Sequence, residues 1–190
     1  MKPLFIASAL ALACSSDLAQ PQKPTYAYFE GVNLSMGVAQ NSTDETVTSA
    51  TTTSSKTSAG IAKINYTFAL AYPAKLGVSA TFDLKNSQIN DSTYLATNAP
   101  TEVTVEPGFL LRNNALLYAK LGTYASRYEA GANATRKLTG TSYGIGIKHY
   151  VYGQNFIQLE WTQRKADDNH AGLDSIIKQS STALLVGFNF

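Results

Sequence analysis

Apolar residues recur at every second position in eight stretches of this chain. Val32, Leu34, Met36 and Val38 share one parity between Tyr28 and Ala39. Ile64, Tyr66, Phe68, Leu70 and Tyr72 do so across 58–72, and Leu76, Val78, Ala80, Phe82 and Leu84 across 75–85. Val103, Val105, Phe109 and Leu111 mark a fourth stretch (101–111), and Leu117, Ala119 and Leu121 a fifth (115–128). The sixth (139–151) carries Tyr143, Ile145, Ile147 and Val151, and the seventh (155–165) Ile157, Leu159 and Trp161. The eighth runs to the last residue, with Leu184, Val186, Phe188 and Phe190 on one face. A period of two predicts strands with one apolar face.

The connections alternate in length. Tyr72-Pro73-Ala74-Lys75, Arg112-Asn113-Asn114 and Tyr152-Gly153-Gln154-Asn155 are short and built from turn-forming residues. Between them lie long polar segments near 41–57, 86–100, 129–138 and 166–178, the first rich in Ser and Thr. Short turns at one end and long loops at the other are the signature of a transmembrane barrel. Lipid offers no partner to an open sheet edge, so such a sheet must close. The expected fold is all-β: an eight-stranded antiparallel up-and-down transmembrane β-barrel, with short periplasmic turns and four long extracellular loops.

A soluble ligand-binding barrel also alternates, with its apolar face inward. Composition separates the two. Charged residues make up 15% of the 190 residues, against about 25% in soluble domains, so there is too little charge to coat an outer face. The polar parity carries small residues (Gly31, Ser35, Gly37, Ser79, Gly122, Gly144, Gly146), which suit a narrow lumen. The formal charge is +2 without a basic cluster, so no nucleic-acid partner is expected.

The chain begins with Lys2 and a largely apolar run from Leu4 to Ala13. That run is too short to span a bilayer and suits a secretory signal. The expected organisation is a signal peptide over 1–19, a periplasmic linker over 20–27 and the barrel over 28–190. Cleavage after Ala13 or after Ala19 are both open. Cys14, the sole cysteine, is read as lost with the signal. Its acylation is the alternative, although Leu12 sits one place nearer the cysteine than a lipobox places it.

With the apolar parity outward, Lys63, Asp83, Lys85, Glu102, Glu106, Lys120, Lys148, Glu160 and Arg164 face inward. Buried charges are costly unless paired. Folding each hairpin about its turn sets Glu106 opposite Lys120, Lys148 opposite Glu160, and Lys63 diagonal to Asp83. These six residues are the candidate lumen ion-pair network, a polar core that plugs the barrel. An ion path or catalytic site is the sharper alternative.

The stretch EVTVEPGFLLRNNALLYAKLGTY (102–124) resembles the central hairpin of opacity-type outer-membrane β-barrel proteins, through Pro107, Gly108, Leu117, Tyr118, Ala119, Lys120 and Gly122. TALLVGFNF (182–190) is similar to their terminal strand. The resemblance implies residence in the bacterial outer membrane, among its lipid. It also implies insertion by machinery that reads Leu184, Val186, Phe188 and Phe190 as an assembly signal. Family roles include stabilising proteins, adhesins and proteins loosely labelled porins. A lipid A deacylase is a poorer match: its strand needs a His and a Ser two apart, and Val151 follows His149 where the Ser would stand. His170 lies in a polar loop.

No metal cluster, phosphate loop or triad is legible, so no enzyme activity, cofactor or metal is expected. The expected function is structural or surface-interacting through the extracellular loops, with an unidentified ligand touching 41–57, 86–100 or 166–178. A small-solute channel, or a lipid-handling barrel, is the alternative.

Overall fold

The structure, a computed structural model, describes residues 29–47, 53–84, 87–90, 93–96, 102–112, 114–130, 134–170 and 173–190. The expected signal peptide and linker, Cys14, Tyr28 and Lys85 lie outside these. The strands are β1 (Gly31–Val47), β2 (Thr53–Ala71), β3 (Ala74–Asp83), β4 (Ser87–Asn90), β5 (Thr93–Ala96), β6 (Glu102–Arg112), β7 (Ala115–Ala130), β8 (Ala134–Tyr152), β9 (Asn155–His170) and β10 (Leu173–Asn189). Eight of them close an antiparallel ring in the order β1-β2-β3-β6-β7-β8-β9-β10, with β10 returning to β1. The β4–β5 hairpin sits beside the ring and pairs with β7, Tyr94 opposite Glu129.

One row of paired residues fixes the barrel's geometry. From Val32 it passes through Tyr66, Val78, Val105, Leu121, Tyr143, Gln163 and Ser180. It then returns to β1 at Ser42. The offset from Val32 to Ser42 is the stagger that closure of a tilted sheet requires, with strands inclined at roughly 35–45°. Slipping any pair by one residue would turn a whole apolar face inward.

Three of the four long polar segments are largely strand. β1 continues to Val47, β7 and β8 are paired as far as Ala130 and Ala134, and β9 and β10 as far as His170 and Leu173. The wall thus extends above the apolar band. On the outward parity these extensions carry polar residues such as Ser42, Asp44 and Lys178, so they lack the apolar alternation that marks a membrane strand.

The outward parity is apolar and open to lipid: Met36 is 61% exposed, Leu121 60% and Ile145 58%. The inward parity is small where the wall curves tightly. A Cβ at Gly122 would lie 2.0 Å from the Val103 carbonyl oxygen and 2.7 Å from Thr104 Cα. The obstruction is backbone on the neighbouring strand, so β6 and β7 would have to part. Gly122→Ala is expected to destabilise the barrel by at least about 1–3 kcal/mol, read as a lower urea midpoint in detergent micelles. An unchanged midpoint would mean that the two strands lie further apart than described.

Candidate functional site

The lumen is filled, in three layers. At the periplasmic mouth Phe29, Leu110, Leu116, Tyr118, Tyr150 and Phe156 form an apolar cluster. Phe29 has no exposed surface. Its ring meets Tyr150 edge-on, with centroids 4.7 Å apart and planes at 87°. Beside it, Lys75 pairs with Glu30. At the extracellular end Tyr124, Leu138, Ala166 and Ile177 form a second cluster. A third, of Ala39, Ile61, Ala183 and Leu185, lines one wall.

Between the ends runs a chain of seven charges of alternating sign. Glu106 meets Lys63 at 2.7 Å, and Lys63 also meets Glu160. Glu160 meets Lys120 at 3.0 Å, and Lys120 meets Glu102 at 3.0 Å. Glu102 meets Arg164 at 2.8 Å, and Arg164 meets Asp83 at 3.0 Å. All seven are buried. Neutral groups complete their shells. Ser79 Oγ and Asn65 Nδ2 donate to Glu106 at 2.7 and 3.0 Å. Gln158 Nε2 and the Tyr118 hydroxyl donate to Glu160. Arg164 donates to Gln179 Oε1 at 2.9 Å and lies over the Tyr124 ring. Charges this deep persist only when paired and hydrogen-bonded.

The candidate residues do come together, but not in the pairs their hairpins suggest. The β6–β7 register holds Val105 opposite Leu121 and Gly108 opposite Tyr118. Even so, Glu106 contacts Lys63, while Lys120 contacts Glu102 and Glu160. Asp83 lies opposite Ile61, diagonal to Lys63, and its carboxylate crosses to Arg164. The Lys148–Glu160 pairing is corrected outright: Lys148 faces Gln158, and Glu160 faces Gly146. Gly153 at φ 56° closes a turn between Tyr152 and Asn155, and a register shift beyond Tyr150 moves the ladder.

The physical reason is common to all three. Five of the six contacts cross the lumen or skip a strand; only Lys120–Glu102 joins adjacent strands, β7 and β6. Side chains on neighbouring strands diverge little and point at the axis, where long Lys, Arg and Glu side chains meet partners from the far wall. Arg164 and Glu102 are central here.

Lys148 stands apart. Its ammonium lies 3.3 Å from Asn33 Oδ1 and 4.6 Å from the Phe156 ring centroid. It lines a cavity shared with Asn65, Thr67, Lys75 and Glu106 that has room for about one water. The seven-membered chain holds four acids and three bases. Lys148 supplies the cation that balances it, without direct contact.

Of the residues expected to form an assembly signal, Leu184 and Phe190 face outward, 51% and 63% exposed. Phe190 N donates to the Val32 carbonyl at 2.9 Å, and its ring meets Phe188 at 5.0 Å. Tyr72 and Phe109, at the short-turn end of the outer wall, are 74% and 52% exposed. His149 and Val151 are both exposed on the outer wall. Among the described residues, no group of three His, Cys, Asp or Glu could hold a metal.

The comparisons with known proteins agree with this architecture. Residues 5–190 match the family model described as outer membrane protein beta-barrel domain. No curated protein matches the chain. Among solved structures, Ail, the attachment invasion locus protein of Yersinia pestis, is similar with a TM-score of 0.56 and 19% identity, over 85% of this chain and 99% of that one. Ail has also been solved in complex with the heparin analogue sucrose octasulfate. Neisserial surface protein A aligns with a TM-score of 0.54 and 10% identity, over 85% of this chain and 100% of that one. A closed ring of eight antiparallel strands, an apolar outer wall and a family match over nearly the whole length lead to one conclusion: the chain belongs to the outer membrane protein β-barrel domain family and resides in the bacterial outer membrane.

Proposed function

We propose that this protein is a non-enzymatic surface barrel that acts through its extracellular hairpins, with the strand face of Leu184, Val186, Phe188 and Phe190 serving insertion. The observation that carries this reading is the filled lumen. Seven alternating charges occupy its middle, and apolar clusters lie at both ends. A solute crossing it would have to displace buried ion pairs, at several kcal/mol for each charge left alone. What remains available is the rim, where 41–57, 86–100 and 166–178 offer polar surface on a rigid scaffold. Ail, of similar fold, binds a sulfated sugar analogue, which supports seeking an extracellular ligand for this chain too.

The test is single-channel recording in planar bilayers. The barrel, refolded and inserted, is expected to give no steady conductance. A stable current of porin size would replace this reading with the small-solute channel.

A further inference from the structure

Phe29 and Glu30 precede β1 and take no part in the wall. The ladders of β1 begin only at Gly31 with β2 and at Asn33 with β10. Gly31 bends the chain at φ 97°, a left-handed conformation that favours glycine. A Cβ there would also lie 2.8 Å from the Phe190 carbonyl oxygen. Upstream of this bend the chain enters the lumen. Phe29 has no exposed surface and packs among Leu110, Leu116, Tyr118, Tyr150 and Phe156. Glu30 stays at the rim, its side chain 37% exposed, and its carboxylate is held by Lys75, which is 5% exposed.

The water-sized cavity beside Lys148 borders this pair of residues. It shares Leu116 and Tyr118 with the cluster around Phe29, and Lys75 with the Glu30 ion pair. Lys148 and Glu106 line it as well. The Lys148 ammonium lies over the Phe156 ring and donates to Asn33 Oδ1, which also accepts from the Tyr150 hydroxyl at 3.4 Å. Tyr150 is the ring that Phe29 meets edge-on. The residues that enclose Phe29 and those that hold Lys148 are thus in part the same.

We propose that Phe29 and Glu30 form a stopper, hinged at Gly31, that shuts periplasmic water out of the Lys148 cavity and away from Glu106, the terminal member of the ion chain. The ring fills the mouth, the Glu30–Lys75 pair latches it at the rim, and the glycine bend aims both inward. A half-exposed ion pair is a weak latch, so the buried ring carries most of the hold. No ladder of β1 includes Phe29 or Glu30, so the barrel closes without them. The stopper therefore opens as a local event while the wall stays intact. It is independent of what the extracellular rim binds.

Reductive methylation with formaldehyde and cyanoborohydride reads which lysines a small aqueous reagent reaches, and peptide mass spectrometry assigns each one. In the parent, refolded in detergent micelles, exposed Lys178 is expected to react fast and buried Lys148 to stay protected. In Phe29→Ala/Glu30→Gln, methylation of Lys148 should rise roughly tenfold or more. Lys63 and Lys120, buried deeper in the ion chain, should stay protected in that variant, and heat-modifiable mobility confirms that it is folded. Glu30→Gln alone keeps the ring in place and should give a smaller rise at Lys148. Leu138→Ala truncates the cluster at the extracellular end and should leave Lys148 protected. Three results overturn the proposal: Lys148 reacting as fast as Lys178 in the parent, protection of Lys148 in both folded stopper variants, or an equal rise in Leu138→Ala.

Discussion

Glu160→Met is expected to destabilise the folded barrel by about 3–5 kcal/mol. Glu160 is the middle of the ion chain: it binds Lys63 and Lys120 and accepts from Gln158 and Tyr118. Its loss leaves the two lysines with one carboxylate each, Glu106 and Glu102. It also gives a buried network with excess positive charge. Urea unfolding in detergent micelles, followed by Trp161 fluorescence, measures the cost. A change below about 1 kcal/mol would mean that water reaches the centre and screens the charges.

A double-mutant cycle separates the cross-lumen contacts from the hairpin pairing. Lys120→Met and Glu160→Met should couple strongly, because each removes the other's partner. Lys120→Met and Glu106→Met should couple less strongly, since Lys63 and Glu160 stand between them in the chain. The reverse pattern would restore the pairing expected from the β6–β7 turn.

Deleting Phe190 is expected to abolish accumulation of the protein in the outer membrane, while refolding in detergent stays close to that of the parent. The ring is 63% exposed to lipid and touches Phe188, and its amide reaches Val32 on β1. Even full burial of such a ring is worth roughly 1.5–3 kcal/mol, too little to undo a closed sheet. If the terminal face is read during insertion, its loss acts before the barrel exists, and chains collect in the periplasm or are degraded. Membrane fractions from cells, compared with heat-shifted mobility after detergent refolding, give the two yields. Equal losses in both would make Phe190 a packing residue.

The sequence by itself determined the strands, their parity and the closure of the sheet. Alternation from Val32 to Phe190 could be read because lipid imposes one chemistry on every outward residue, and a barrel wall has no second layer to complicate the period. Low charge and small inward residues then separated a membrane barrel from a soluble one. The inward charges were legible for the same reason, as polar residues on the wrong parity for lipid.

Two things were beyond it. The strand extensions of β1, β7, β8, β9 and β10 carry polar residues such as Ser42, Asp44 and Lys178 on the outward parity, so no apolar alternation betrays them, and they read as loops. The partners of each charge were decided by tertiary structure alone. Hairpin logic sees only adjacent strands, but stagger and closure aim all inward side chains at one narrow axis. There Glu106 meets Lys63 from two strands away, and Arg164 on β9 meets Asp83 on β3. The apolar plugs follow the same rule. Phe29, Leu110, Phe156 and Ile177 sit on the inward parity beside polar neighbours, and only the converging walls show that they seal the two ends of a charged core.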